Sequence, residues 1–172
     1  MQYLSERGNI GTTKGKTHRT EDKTMKNTFA AEYEQELKIR NAYDEAKAAG
    51  SEEGMEEARE AIHRLWDSID AKGKAYVRIY RDYKDSMDKG NTYIDFHDVI
   101  WDKDAPDLIA CMRENGIEHF TFSSGWSSAV ETAWIFKENG CQLEDLIQIN
   151  GDRRSFGEEG YEKAPAYLFR IG

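Results

Sequence analysis

Residues 119–136, HFTFSSGWSSAVETAWIF, decide the fold. Phe120 and Phe122 alternate with His119, Thr121 and Ser123, the two-residue period of a strand. A turn of small residues follows. Ser128-x-x-Glu131 is a capping-box pattern that starts a helix near Ser127 or Ser128. Val130, Ala133, Trp134 and Lys137 share one helical stripe, Ile135 and Phe136 widen its apolar arc, and Asn139–Gly140 closes it. Strand, turn and amphipathic helix thus occupy 18 residues, the densest apolar segment of a chain that is otherwise mostly charge.

Downstream, residues 142–150 read as a strand with Leu143, Ile147 and Ile149 on one face. A strand–helix–strand crossover is right-handed, so this strand and the one at 119–123 should be parallel. A polar loop runs from Asn150 to Glu162. Residues 166–171, with Tyr167, Phe169 and Ile171 on one face, should return antiparallel beside 142–150. Upstream, a helix capped by Asp104, with Pro106 in its first turn, buries Leu108, Ile109 and Met112 and stops at Gly116. Before it lie a short extended piece at 92–94 and a loop bearing Asp95, Asp98, Asp102 and Asp104.

The N-terminal half is helical. Thr28 caps a helix over residues 28–49 that carries Phe29, Tyr33 and Leu37 at four-residue spacing and ends at Gly50. Ser51 caps a second helix with Met55, Ala58, Ile62, Leu65 and Ile69 on one face and Trp66 beside it. Lys72-Gly73-Lys74 is either a break or a tolerated mid-helix glycine. Tyr76, Tyr80, Tyr83 and Met87 then repeat at helical spacing up to Gly90. Such a stripe is most often core or helix–helix interface. A base-stacking platform is the alternative, and the tyrosines with Trp66 could also supply a homodimer contact. The expected fold is α+β: an arm over residues 1–26, a region of two to three helices over 27–91, and over 92–172 a small mixed sheet of about three strands with two covering helices.

The chain has 172 residues and a net charge of −9, with 33% charged and 38% hydrophobic residues, so a lean core must lean on its aromatics. Residues 1–26 carry +3 and the rest −12. An acidic body argues against non-specific DNA binding by the body and for a basic partner. The arm has the composition of a flexible segment, and its Lys14, Lys16, Arg19 and Lys23 are candidate nucleic-acid contacts. Met25, just before the first helical pattern, is a candidate alternative start. Two cysteines, Cys111 and Cys141, give neither a disulfide framework nor a zinc site. No run reaches the length of a membrane span and no signal peptide is visible, so a soluble intracellular protein without a cofactor is expected.

Three constellations could carry chemistry. Ser123, Ser124, Gly125, Ser127 and Ser128 join a strand to a helix N-terminus and form a candidate anion pocket. They match neither a P-loop nor a nucleophile elbow, and a serine-rich helix cap is the plainer meaning. Asp95-Phe96-His97-Asp98 resembles the first motif of haloacid-dehalogenase-type phosphotransferases, which need a second aspartate where His97 stands. It implies a magnesium-dependent phosphotransferase as the enzymatic alternative. His97 could share a metal with Asp95 and Asp98, although a hydrogen-bonded turn is commoner, and no metal site is assigned. The third constellation is acidic: Glu32, Glu36, Asp44 and Glu45 on the first helix and Glu52, Glu53, Glu56, Glu57 and Glu60 on the second. Acids in a first turn suit the helix dipole, but so many carboxylates also imitate a phosphate track, and all nine are candidate partner contacts.

Residues 115–151, NGIEHFTFSSGWSSAVETAWIFKENGCQLEDLIQING, resemble small proteins of gut Firmicutes mobile elements, among them type II-A anti-CRISPR proteins. The resemblance spans the C-terminal third to half of the chain and assigns no residue a role. It implies a non-catalytic inhibitor of a type II CRISPR effector nuclease, acting in the bacterial cytoplasm through an acidic surface that blocks DNA binding or cleavage. A mobile-element accessory protein that binds DNA through the basic arm is the remaining alternative.

Overall fold

The computed structural model of the chain describes residues 28–97, 100–125, 127–154 and 160–172. The elements are α1 (Thr28–Ala49), α2 (Glu52–Asp70), α3 (Lys74–Asp88), β1 (Ile94–Phe96), α4 (Ala105–Glu114), β2 (His119–Phe122), α5 (Ala129–Glu138), β3 (Cys141–Arg154) and β4 (Tyr161–Ile171). The fold is α+β, with four strands where about three were expected. The short extended piece lies at 94–96 and pairs in parallel with β2.

The sheet order is β1-β2-β4-β3. β2 and β3 do run in the same direction, but β4 lies between them, antiparallel to both. The aromatic residues account for that insertion. Phe169 of β4 stacks on Phe120 at 5.4 Å between ring centroids and Tyr167 stacks on Phe122 at 6.4 Å, whereas the outer strand offers Leu143, which stays 54% exposed. Aromatic cross-strand pairs are among the stronger units of sheet stabilisation. Phe136 of α5 closes over the same rings, 4.8 Å from Phe120 and 5.8 Å from Phe122. The opening stretch is therefore a small aromatic core in itself. The β3–β4 hairpin is longer than its sequence pattern indicates, and β4 runs past the end of β2. Pro165, in that overhang, does not face β2 and so withholds no hydrogen bond from it.

In the helical half, α2 and α3 are two helices. Gly73, at φ 99°, makes the break in a conformation other residues rarely adopt. Ser51 caps α2 as expected, its Oγ accepting from the Gly54 amide at 3.1 Å. Asp104 and Ser128 precede α4 and α5 but make no side-chain cap bond. Thr28 donates instead to the Asn115 side chain at 2.7 Å, tying the start of α1 to the end of α4. One cluster of buried side chains runs from Phe29 through Tyr76, Ile79 and Tyr80 to Phe120, Phe136 and Phe169. Among the described residues no helix is long and apolar enough to cross a membrane.

Candidate functional site

The nine candidate acids divide between inside and outside. Glu32 and Glu36 face inward, 8% and 2% exposed, which corrects their assignment as partner contacts. They lie on the side of α1 that meets α3, where buried tyrosine hydroxyls need acceptors. Tyr76 donates to Glu32 and Tyr80 to Glu36, each at 2.8 Å. Lys72 reaches Glu32 at 2.5 Å, while Lys84 and Arg40 reach Glu36 at 2.8 and 2.6 Å. Burial pushes the Glu36 carboxyl up, but the bonds from Lys84, Tyr80 and Arg40 outweigh it and hold the group below the ordinary range. Tyr76 and Tyr80 are pushed above the ordinary phenol range, first by burial and then by their carboxylate partners. Burial and a bond to Asp88 push Tyr33 up to about 12. The stripe is thus core. Tyr76, Tyr80 and Tyr83 are at most 4% exposed, which removes them as homodimer material.

Asp44, Glu45, Glu52, Glu53, Glu56, Glu57 and Glu60 all face solvent. They crowd the tip of the α1–α2 hairpin, which outruns the rest of the helical half. α3 follows the hairpin only as far as Asp88, whose carboxylate meets Arg40 at 3.1 Å, and α1 continues to Ala49. The two helices approach closely at the tip: a Cβ on Gly54 would lie 2.9 Å from that of Ala46. Glu56 and Glu60 pair with Arg59 and Arg64 at 2.9 and 3.3 Å. Asp44, Glu45, Glu52, Glu53 and Glu57 make no ion pair among the described residues.

The serine turn is partly committed to the fold. Ser123 donates its hydroxyl to Asp95 at 2.5 Å and its amide to the Phe96 carbonyl at 3.0 Å, so neither is free to hold an anion. Gly125 and Ser127 are exposed and Ser128 is the residue before α5. Lys14, Lys16, Arg19, Lys23, Asp98 and Trp126 lie outside the described residues.

A second polar cluster lies at the C-terminal ends of the parallel strands. Asp95, 7% exposed, accepts from Thr121 at 2.8 Å as well as from Ser123, and its amide donates to Ser86 at 2.8 Å. Burial raises its carboxyl above the ordinary range despite these bonds. Asp82, held by Arg78 at 2.9 Å, is raised by burial too. Nearby, the Lys89 ammonium bridges Asp85 and Asp152. Potential ligand atoms of Asp85, His97 and Asp152 lie within 4.8 Å of one another, but Lys89 already supplies positive charge to both carboxylates. His97 Nδ1 is buried without a hydrogen-bond partner among the described residues. Asn91 docks the hairpin: its side chain donates to the Asn150 carbonyl at 2.9 Å and accepts from the Asn150 amide at 2.8 Å. Sequence reasoning missed Ser86, Asp82, Lys89, Asn91 and Asp152. Lys89 and Asp152 stand 63 residues apart in the chain and Asn91 and Asn150 stand 59 apart, and only the Gly90–Asn91 stop signal marked the neighbourhood.

No curated protein and no solved structure matches the chain. The family described as a domain of unknown function, DUF7698, matches residues 78–171. That match starts within α3 and takes in the whole sheet with α4 and α5, leaving the acidic hairpin outside it. It spans more than half of the chain, and the chain belongs to the DUF7698 family.

Proposed function

We propose that this is a non-catalytic interaction protein that engages a basic, nucleic-acid-binding surface through the acidic tip of the α1–α2 hairpin. Following the resemblance at residues 115–151, the partner is a type II CRISPR effector nuclease, and the outcome is blocked DNA binding or cleavage. The observation that carries the reading is the placement of charge: seven carboxylates are exposed on a projecting hairpin, and five of them make no ion pair among the described residues. Carboxylates held on rigid helices can occupy the positions phosphates take in a basic groove, and the attraction falls as salt rises. Co-elution with purified effector complex, together with a DNA-cleavage assay, tests this. Inhibition that weakens with salt is expected, and is lost when Glu52, Glu53, Glu56 and Glu57 become Lys. Full cleavage at saturating protein, with no co-elution, refutes it.

One observation favours a second reading, magnesium-dependent phosphotransfer. Asp95 sits beside Ser123 near the C-terminal ends of two parallel strands, the crevice where such sheets commonly bind ligands. Turnover on a panel of phosphate esters, abolished by Asp95→Asn, would support it, and no turnover would remove it.

A further inference from the structure

Resting on the interaction reading, we propose that the tip of the hairpin also carries a receptor groove for a basic amphipathic helix of the partner. α3 lies in the channel between α1 and α2. It runs broadly parallel to α1, with Tyr76 against Glu32, Tyr80 against Glu36 and Asp88 against Arg40. It runs antiparallel to α2, with Trp66 against Tyr80. Past Asp88 the channel continues without an occupant among the described residues. That continuation is a groove of about 460 Å³ lined by Ile39, Tyr43, Ala58 and Ile62, with Arg40, Asp44 and Arg59 at its edges. Residues 40–49 of α1 extend it by roughly 15 Å, about three helical turns.

The occupied half shows what chemistry fits the empty half. There, α1 presents Glu32 and Glu36 one turn apart, and α3 answers with tyrosines one turn apart and with Lys84, while Lys72 reaches Glu32 from the turn before α3. Two turns beyond Glu36 stands Asp44, exposed and without an ion pair among the described residues. The two arginines at the groove's edge are already held, Arg40 by Glu36 and Asp88 and Arg59 by Glu56, so Asp44 is the charge along this lining that is left to answer a cation. A helix that places aromatic or aliphatic residues one turn apart on one face, with lysines or arginines flanking them, would bury its apolar face on Tyr43 and Ile62 and pair its cations with Asp44 and the tip. The floor supplies contact area, and the acids supply orientation and encounter rate.

The test uses the full chain and a synthetic helix-constrained peptide with the sequence of residues 74–88, in which Asp82→Lys, Asp85→Lys and Asp88→Lys remove the acids. Fluorescence anisotropy should show saturable binding. Tyr43→Ser, which alters no charge, should weaken it by about tenfold or more, the loss expected of an aromatic anchor. Asp44→Lys, at an exposed position, should weaken it by about fivefold. Both variants should keep the parent's melting temperature to within a few degrees. No saturable binding, or equal binding by parent and Tyr43→Ser, overturns the groove. The tip reading is judged separately by nuclease inhibition in the Glu52, Glu53, Glu56 and Glu57 reversal, so either can fail while the other stands.

Discussion

Replacing Glu36 by alanine should destabilise the protein far more than replacing any solvent-facing acid of α1. The Tyr80 hydroxyl is 0% exposed and has Glu36 as its acceptor. Losing that acceptor leaves a buried donor unsatisfied, at a cost of about 1–3 kcal/mol. Lys84 and Arg40 also lose their partner, but their side chains are 29% and 35% exposed and can turn to water. Each of those pairs therefore adds only about 0–1 kcal/mol. The sum expected for Glu36→Ala is about 2–4 kcal/mol, in line with breaking a buried ion pair from one side. Urea denaturation followed by circular dichroism measures it, with the slope unchanged so that the midpoint shift reports stability. Glu57→Ala, on the exposed tip and beyond the first turn of α2, is the control and should stay within about 0.5 kcal/mol of the parent. A double-mutant cycle with Tyr80→Phe should return a coupling energy of about 0.5–3 kcal/mol. A cost below about 1 kcal/mol for Glu36→Ala, or no coupling to Tyr80, would refute the inward-facing assignment.

Stability should also fall steeply in alkali. Tyr33, Tyr76 and Tyr80 have folded pKa values above the phenol value, so above about pH 10 the unfolded chain gives up protons that the native state keeps, and unfolding is favoured. Each tyrosine contributes up to about 1.4 kcal/mol per pH unit, and urea midpoints from pH 9 to 11.5 should show a shallower decline in Tyr80→Phe. Gly54→Ala should push the tip helices apart, because its methyl would meet the Ala46 side chain at 2.9 Å. A cost of about 1–3 kcal/mol follows from overpacking, and a stabilised variant, as helix propensity alone predicts, would contradict the close approach. Asp95→Ala should cost about 1–3 kcal/mol by removing the acceptor of the Ser123 hydroxyl and leaving Thr121 only its longer bond to the Ile94 carbonyl at 3.3 Å. Asp95→Asn should cost less, since it keeps one acceptor and removes a desolvated carboxyl; equal costs in thermal unfolding would argue against that bonding.

Local features were readable because their signals are local. The Ser51 cap, the glycine stops and the Phe120/Phe122 alternation each rest on neighbours within a few residues. The order of the sheet was not readable in the same way. It depends on whether Phe120 and Phe122 meet the aromatics of β4 or the aliphatics of β3, and that choice is made across about 50 residues of chain. Glu32 and Glu36 misled for a related reason. A carboxylate on a helix reads as solvent-facing, and only the matching four-residue spacing of Tyr76 and Tyr80, with Lys72 and Lys84 beside them, hints that the acids point inward. That match was visible in the sequence but needed a parallel α1–α3 pairing to be meaningful. Asp95 presented the converse problem: its motif drew attention as chemistry, while the donors that occupy it stand 26 and 28 residues away.

The burial of some acids changes how the charge argument must be tested. Net charge counts Glu32, Glu36, Asp82 and Asp95, which no partner can touch, so a variant that lowers net charge at those positions tests folding and nothing else. Reversing all four of Glu52, Glu53, Glu56 and Glu57 has a milder form of the same fault. Glu52 and Glu53 sit in the first turn of α2, where each favours the helix by about 0.3–1 kcal/mol through its dipole, and lysine there would reverse the sign. Changing only Glu56 and Glu57 to Lys avoids this. It leaves the first-turn acids in place and sets two glutamates four residues N-terminal to two lysines, the favoured orientation, worth about 0.2–0.5 kcal/mol per pair. The cost is the exposed Glu56–Arg59 bridge, whose side chains are 62% and 50% accessible and whose loss should be small. This variant should melt at or slightly above the parent temperature while the tip changes by four units of charge. If acidic docking is the mechanism, it should lose most of its nuclease inhibition. A well-folded Glu56→Lys/Glu57→Lys protein that inhibits as strongly as the parent would reject the tip as the contact, without the ambiguity of a damaged helix.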